Sequence, residues 1–311
     1  MRRISSRKLS QLSNSKRLCI CMLVSTCYFF TMVPELHGAL EDMTYCPNAV
    51  SGTQTNVTPW KVPGEVLSVL KEVERIFVLA KHDCSRKLPL ELSERVTCIR
   101  GVELDKCAPR KYLRGRENHA MKVTYAHAFV MARAHEAHYS TIAVVEEDAN
   151  FLERNFSSSF ATDFASLIHS SAWGLIRLGF RPIFLQMNGI LRCPQFCRCS
   201  VSTFGDHLCK MRHAGCDMRS SDMYIINQKF YLPFRAKLLN LRVSNRQRIV
   251  DTLPMNRIGP QWLVLPQLSF QTTLDVPIDY QIGLSALYVR KCAGPRPLPD
   301  LTEGKALYSL E

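Results

Sequence analysis

Thr141-Ile142-Ala143-Val144-Val145 is an unbroken apolar run rich in β-branched residues, and Glu146, Glu147 and Asp148 follow it directly. A strand without polar alternation is buried on both faces, so it belongs in a sheet covered by helices on either side. Three adjacent carboxylates repel one another, so the point where the chain leaves that strand needs solvent or a cation. No other stretch limits the fold as much. It calls for a layered α/β domain with acids at a strand's carboxyl end.

The rest of the chain alternates in the same sense. Arg75-Ile76-Phe77-Val78-Leu79-Ala80 has strand length and a continuous apolar character, and Leu175–Leu178 and Met223–Ile226 repeat it. Between them lie helical spacings. Val66, Val69, Leu70 and Val73 form one stripe, and Phe160, Phe164, Leu167 and Ile168 form another. Val123, Ala126, Val130, Ala134 and Ala137 predict a helix over Lys122–His138, and a further helix is expected around Pro233–Leu241. Strands alternating with helices predict an α/β fold with a mostly parallel sheet flanked by helices. Ligands of such sheets bind beyond the carboxyl ends of the strands. That places Lys81–Lys87, after the first strand, and the three acids on the same rim.

Glu146 and Asp148 are two apart, so in extended chain their side chains share one side, and Glu147 points to the other, toward backbone or an arginine. Carboxylates at such a rim suit a hard divalent cation, Mn²⁺ or Mg²⁺, which bridges protein oxygens to a diphosphate. An acidic surface turn is the competing reading of the same residues.

Charge bears on the chain's ends. The formal net charge is +13, and Arg2, Arg3, Arg7, Lys8, Lys16 and Arg17 supply six of those charges before the first acid. The remainder is modestly basic, which suits an anionic small ligand. No basic–aromatic interleaving of the kind that binds single strands is present, and no nucleic-acid partner is expected. Leu18–Val33 is uncharged and ends at Pro34. It is short for a membrane span, yet thinner internal membranes and a snorkelling Arg17 permit one. Basic residues before the apolar segment predict a single-pass type II anchor with the bulk of the chain lumenal. A cleaved signal peptide competes with it, against a poor cleavage context around His37-Gly38-Ala39. The expected organisation is a cytosolic tail over 1–17, an anchor over 18–33, a proline-bearing stem over 34–70, a main domain over 71–290 and a tail over 291–311.

Ten of the thirteen cysteines follow the apolar segment, an even number that favours disulfides in an oxidising lumen. Two sequons, Asn56-Val57-Thr58 and Asn155-Phe156-Ser157, suit the same compartment. The segment 193–216 gathers Cys193, Cys197, Cys199, Cys209, Cys216, His207 and His213. Its spacing fits no standard zinc pattern, and a disulfide-stapled insertion is expected over a zinc site. Connectivity is not readable from spacing.

Several segments, in order, resemble glycosyltransferase family 25, whose best-known members are galactosyltransferases acting on lipopolysaccharide and collagen. "TIAVVEEDANF" is similar to that family's strand and acidic triplet, usually Glu-Asp-Asp. "RIFVLAKHDCSRK" (75–87) resembles its opening strand and loop, closing on Arg86. "RVTCIRGVEL" (95–104) resembles its second strand and the following glycine, here Gly101. "TYAHAF" (124–129) looks like the helix that carries Ser-His, here Ala126-His127. "WGLIRLG" (173–179), "DMYIINQKFYLPFRAKLL" (222–239), Asp251 and "LVLPQLSFQ" (263–271) complete the series. The departures are Glu147 for the middle Asp, Ala80 and His82 in the first-strand motif, and Ala126 for Ser.

The resemblance implies a GT-A-like fold and transfer of a sugar from a nucleotide-sugar donor, such as UDP-galactose, to a hydroxyl of a glycan or glycoprotein, with inversion. It implies Mn²⁺ (or Mg²⁺) on Asp148 with Glu146 or Glu147, donor contacts from Arg86 and His127, and a general base at Asp251 or Asp222. A Golgi or ER membrane location follows. His127 has a plainer reading as a packed, hydrogen-bonded histidine, and Asp251 as a surface or capping residue. The alternatives in kind are a catalytically inactive relative serving as a lumenal binding or adhesion protein, and a zinc-binding interaction protein built on the cysteine cluster.

Overall fold

The computed structural model describes residues 46–51, 58–109, 112, 119–182, 185–187, 190–192, 199–200, 204–211, 218–240, 250, 255 and 257–271. The basic N-terminal stretch, the apolar segment expected to be an anchor, most of the cysteine cluster, Asp251 and the C-terminal tail lie outside the described residues. No helix of the described residues is long and apolar enough to cross a membrane.

Nine strands form one sheet: β1 (Val50–Ser51), β2 (Arg75–Ala80), β3 (Val96–Arg100), β4 (Thr141–Glu146), β5 (Leu175–Arg177), β6 (Cys199–Ser200), β7 (Leu208–Met211), β8 (Met223–Asn227) and β9 (Gln261–Val264). Their spatial order is β1-β3-β2-β4-β8-β5-β9-β7-β6. Among the described residues five α-helices accompany them: α1 (Gly64–Lys71), α2 (Gly101–Cys107), α3 (His119–Glu136), α4 (Phe160–His169) and α5 (Tyr231–Leu238).

The α/β class with a central sheet flanked by helices is what the alternation called for. The sheet itself is mixed. Strand β2 runs parallel to β3 and β4, and β9 runs parallel to β5. The other five pairings are antiparallel, with β8 lying antiparallel between β4 and β5. A short apolar run such as Met223–Ile226 looks the same in either direction, so periodicity carries no sign for it.

Alternation along the strands sorts side chains to two faces. Ile76, Val78, Ala143, Val145 and Ile225 join one apolar cluster with Val66, Val69 and Leu70 of α1 and Phe160, Phe164 and Leu167 of α4. The opposite face carries Val144 and Tyr224, which are cross-strand partners, and Tyr224 meets Phe234 of α5 edge-on at 6.2 Å. Helix α3 packs on that same face and against α5, burying Met121, Tyr125, Ala128, Phe129, Val130 and Met131. Its eighteen residues span about 27 Å, enough to cross the sheet.

The described residues from Cys46 onward belong to one compact unit. Cys46 is bonded to Cys107 at the end of α2, Val50 pairs with Ile99, and Trp60 packs in the core beside Phe151. Cys84–Cys98 and Cys199–Cys209 are also paired.

The chain order positions the site. From β2 the chain goes to β3 on one side, then returns to β4 on the other. Beyond the carboxyl ends of β2 and β4 the connections therefore diverge, and a crevice opens at this switch of direction.

Candidate functional site

A cavity of about 410 Å³ occupies that crevice. Leu79, Ala80 and Lys81 at the end of β2 form one wall, Gly101 and Val102 at the start of α2 another, and His119, Lys122 and Ala126 of α3 a third. Glu146, Glu147 and Asp148 from the end of β4, with Gln271, complete it. The acids thus sit where the strand context placed them. The lining pairs acids with bases, and Lys122 meets Asp105 at 2.8 Å.

Glu146 ends β4 on the face that α3 covers, two residues beyond Val144. It is only 7% exposed. One carboxylate oxygen, Oε1, is held from behind by His127 Nε2 at 3.1 Å and by the Ser221 hydroxyl. The other, Oε2, accepts from the Gln271 amide at 3.2 Å. The same Gln271 nitrogen donates to Asp148 Oδ2 at 2.9 Å. Two carboxylates from opposite ends of one turn therefore converge on a single donor.

The local structure explains the convergence. Glu147 and Asp148 form a turn, and Ala149–Phe151 pairs antiparallel with Ser269–Gln271 in register Gln271↔Ala149. That ribbon carries Gln271 back to the acids from 123 residues away. Glu147 turns to the other side, where the backbone N–H and hydroxyl of Ser85 both donate to its Oε1, the hydroxyl at 2.7 Å. Its own N–H bonds Leu79 carbonyl at 2.9 Å, tying the turn to β2.

Electrostatics follow from these contacts. Burial pushes the Glu146 carboxyl up, but the His127 hydrogen bond and charge, together with Ser221, outweigh it and hold Glu146 below the usual carboxylate range. Asp148 is raised from 3.8 to about 6, first by desolvation in the crevice mouth and then by the neighbouring Glu146 charge, against the opposing bond from Gln271. The pair is asymmetric: the surroundings of Glu146 favour its ionised form and those of Asp148 oppose it.

The remaining expected residues divide as follows. His127 is wholly buried with both ring nitrogens bonded, Nδ1 to the Tyr224 hydroxyl at 2.7 Å, so it reaches a ligand in the crevice only through Glu146. Arg86 stacks over Trp60 with its guanidinium carbon 5.5 Å from the ring centroid and donates to Ala149 carbonyl at 3.3 Å, bracing the turn from beneath. Asp222 is wholly buried, and it accepts from the Ser220 hydroxyl and from the Ser269 hydroxyl at 2.7 Å. Burial pushes the Asp222 carboxyl up, partly offset by those two serines. Gly179 lies so close that a Cβ there would sit 2.2 Å from Asp222 Oδ2. Of the cysteine cluster, Cys199 and Cys209 form a disulfide across β6 and β7, and His207 is bonded to Leu265 carbonyl at 2.9 Å and to the Ser157 N–H at 3.1 Å.

Gln271, Ser221, Ser85 and Tyr224 are contacts that sequence reasoning did not single out. Each lies far from the acids in sequence, and only strand register brings it near.

Among the described residues no group of three or more His, Cys, Asp or Glu side chains is assembled around one point. The fit to a cation rests instead on donor chemistry. Glu146 Oε2 and Asp148 Oδ2 are hard oxygen donors facing one point that an N–H donor now fills, and the crevice leaves room for further ligands from a phosphate and water.

No protein-family model matches the sequence, and no curated protein matches it either.

Proposed function

We propose that this chain is a metal-dependent glycosyltransferase that moves a sugar from a nucleotide-sugar donor to a glycan or glycoprotein hydroxyl. The observation that carries the proposal is the convergence of Glu146 and Asp148 on one point in the crevice at the switch between β2 and β4. Ligands of open α/β sheets bind at that place. The ordered segments resembling glycosyltransferase family 25 run through the same elements: β2, β3, α3, β4, β5, β8 and the Gln271 ribbon.

In this reading Glu146 and Asp148 hold Mn²⁺ or Mg²⁺, and the ion, when bound, supplies Lewis-acid stabilisation to the departing nucleoside diphosphate. Lys81 and Lys122 bring positive charge to the crevice wall, where the phosphates lie. Glu147 clamps the Lys81–Lys87 loop through Ser85 and fixes that wall. Arg86 supports the acidic turn. Asp222 is sealed from the crevice, so base catalysis on the acceptor hydroxyl falls to Asp251 or to a side chain brought in with the acceptor. The donor class extends to UDP-galactose through the family likeness. A type II location in the Golgi or ER membrane follows from the basic tail and apolar segment, with the disulfides among the described residues in keeping with an oxidising lumen.

A second reading, an inactive lumenal binding protein, is favoured by one observation: the family-like acid Asp222 has no access to a substrate. Hydrolysis of nucleotide sugars by the purified chain separates the two. The enzyme reading predicts Mn²⁺-dependent release of the nucleoside diphosphate from one donor, abolished by chelator and by Asp148→Ala. Donor binding with no turnover on any nucleotide sugar supports the inactive reading.

A further inference from the structure

Two motifs of the sequence take no part in the proposed transfer: the cysteine-rich stretch 193–216 and the pair of sequons. Most of the first lies outside the described residues, and so does Asn56 of the first sequon. The second sequon, Asn155-Phe156-Ser157, is described in full. It lies in the link between the Ala149–Phe151 ribbon and α4, just after Leu152 N–H bonds Leu268 carbonyl.

The link from Glu153 to Ser157 is neither helix nor strand, yet its side chains alternate. Glu153, Asn155 and Ser157 are exposed, Arg154 is buried and Phe156 is half-buried. Successive side chains of an extended chain point to opposite sides, so the inward pair decides where Asn155 points. Arg154 is 4% exposed, and its Nε reaches the Gln267 carbonyl at 3.4 Å. Phe156 stacks on Phe160, the first residue of α4, at 4.1 Å and meets the His207 ring edge-on at 4.7 Å. The Ser157 N–H donates to His207 Nε2 at 3.1 Å. With a neighbour anchored on each side, Asn155 is turned to solvent. Ser157 is exposed as well, its hydroxyl 3.1 Å from that of Ser159. None of residues 153–159 lines the crevice.

We propose that Asn155 is a modification site that carries an asparagine-linked glycan. An asparagine followed two positions on by Ser or Thr, with no proline between, is the acceptor signal, and the bulky product needs a surface position. Asn155 meets both conditions in the folded chain. The co-substrate belongs to the class of lipid-pyrophosphate-linked oligosaccharides, supplied with its transferase by the lumen. A bond forms between the Asn155 amide nitrogen and the anomeric carbon of the oligosaccharide, and the bond from that carbon to the pyrophosphate oxygen breaks. The amide nitrogen gives up one proton to solvent, and the lipid pyrophosphate leaves. This rests on the lumenal location read from the chain's basic and apolar segments, and it is independent of the acid pair.

The test expresses the full chain in a cell whose secretory pathway adds such glycans. Mobility is compared before and after an asparagine-specific glycosidase, which leaves aspartate where a glycan stood, and peptide mass spectrometry locates that aspartate. The wild type is expected to show it at position 155. Asn155→Gln and Ser157→Ala are each expected to lose one mobility step. Ser157→Thr keeps a hydroxyl two positions on and is expected to retain it, a contrast that a general folding defect does not produce. Protease digestion of sealed microsomes, with and without detergent, locates the bulk of the chain. A chain protected in the lumen yet unmodified at Asn155, whatever the state of Asn56, overturns this inference alone. A chain digested without detergent overturns the lumenal reading and this inference with it.

Discussion

Glu146 divides its two oxygens between two environments, one tied to α3 and β8 and one facing the crevice, and Asp148 has no comparable tether. That difference sets what each acid does to stability. Asp148 has a folded value of about 6 against 3.8 when unperturbed. Between those values the native state binds more protons than the unfolded chain, so stability falls as pH rises through that window. Asp148→Asn removes the penalty. Its metal-free form is expected to be more stable than the wild type at pH 8 by about 1 kcal/mol, the proton linkage being reduced by solvent screening at this exposed position. The advantage vanishes below about pH 4. Melts of both proteins in chelator across pH 4–8 check this, and a variant less stable at every pH would contradict it. A residue that costs stability where it stands is held there for another reason. The acids and their strand context were legible in the sequence. Gln271 was not, because nothing in the spacing from Asp148 to Gln271 announces that the ribbon will bring that amide to the turn.

At the scale of elements, the site is a consequence of three pieces meeting: the end of β4, the middle of α3 and the start of β8. The apolar stripe of α3 was readable, and its observed span, His119–Glu136, lies close to the expected one. The direction of β8 was not readable, since a run buried on both faces carries no directional mark. Its antiparallel course matters, because it brings Ser221 and Asp222 beside the end of β4, where Glu146 N–H bonds Asp222 carbonyl at 2.8 Å. Gly179, just past β5, leaves the room that Asp222 and Ser269 fill. Gly179→Ala forces both away and is expected to cost about 1–3 kcal/mol by overpacking. Denaturant unfolding measures it, and a loss under about 0.5 kcal/mol would mean that the pocket around Asp222 relaxes freely. Phe129, buried on α3, should cost about 3–5 kcal/mol on truncation to alanine, without moving the acids.

The whole molecule is held by covalent ties of very different reach. Cys46–Cys107 closes a separation of 61 residues, Cys84–Cys98 one of 14 and Cys199–Cys209 one of 10. Loop-closure entropy makes the first worth about 4 kcal/mol and the last about 3 kcal/mol. Paired replacement of Cys46 and Cys107 by serine should therefore lower the melting temperature more than replacement of Cys199 and Cys209. The reverse order would place residues 46–51 among the weakly held parts of the fold. The even cysteine count pointed to bridges, but pairing required the fold, because Cys84 and Cys98 meet only when β3 returns beside β2. The central claim concerns the crevice at that same junction. Crystals grown with Mn²⁺ and a nucleoside diphosphate, measured at the manganese absorption edge, test it most directly. The account predicts one anomalous peak about 2.1 Å from both Glu146 Oε2 and Asp148 Oδ2, with the Gln271 amide displaced from between them. Ordered diphosphate in the crevice with no ion between those two oxygens, or manganese bound only elsewhere, would contradict it.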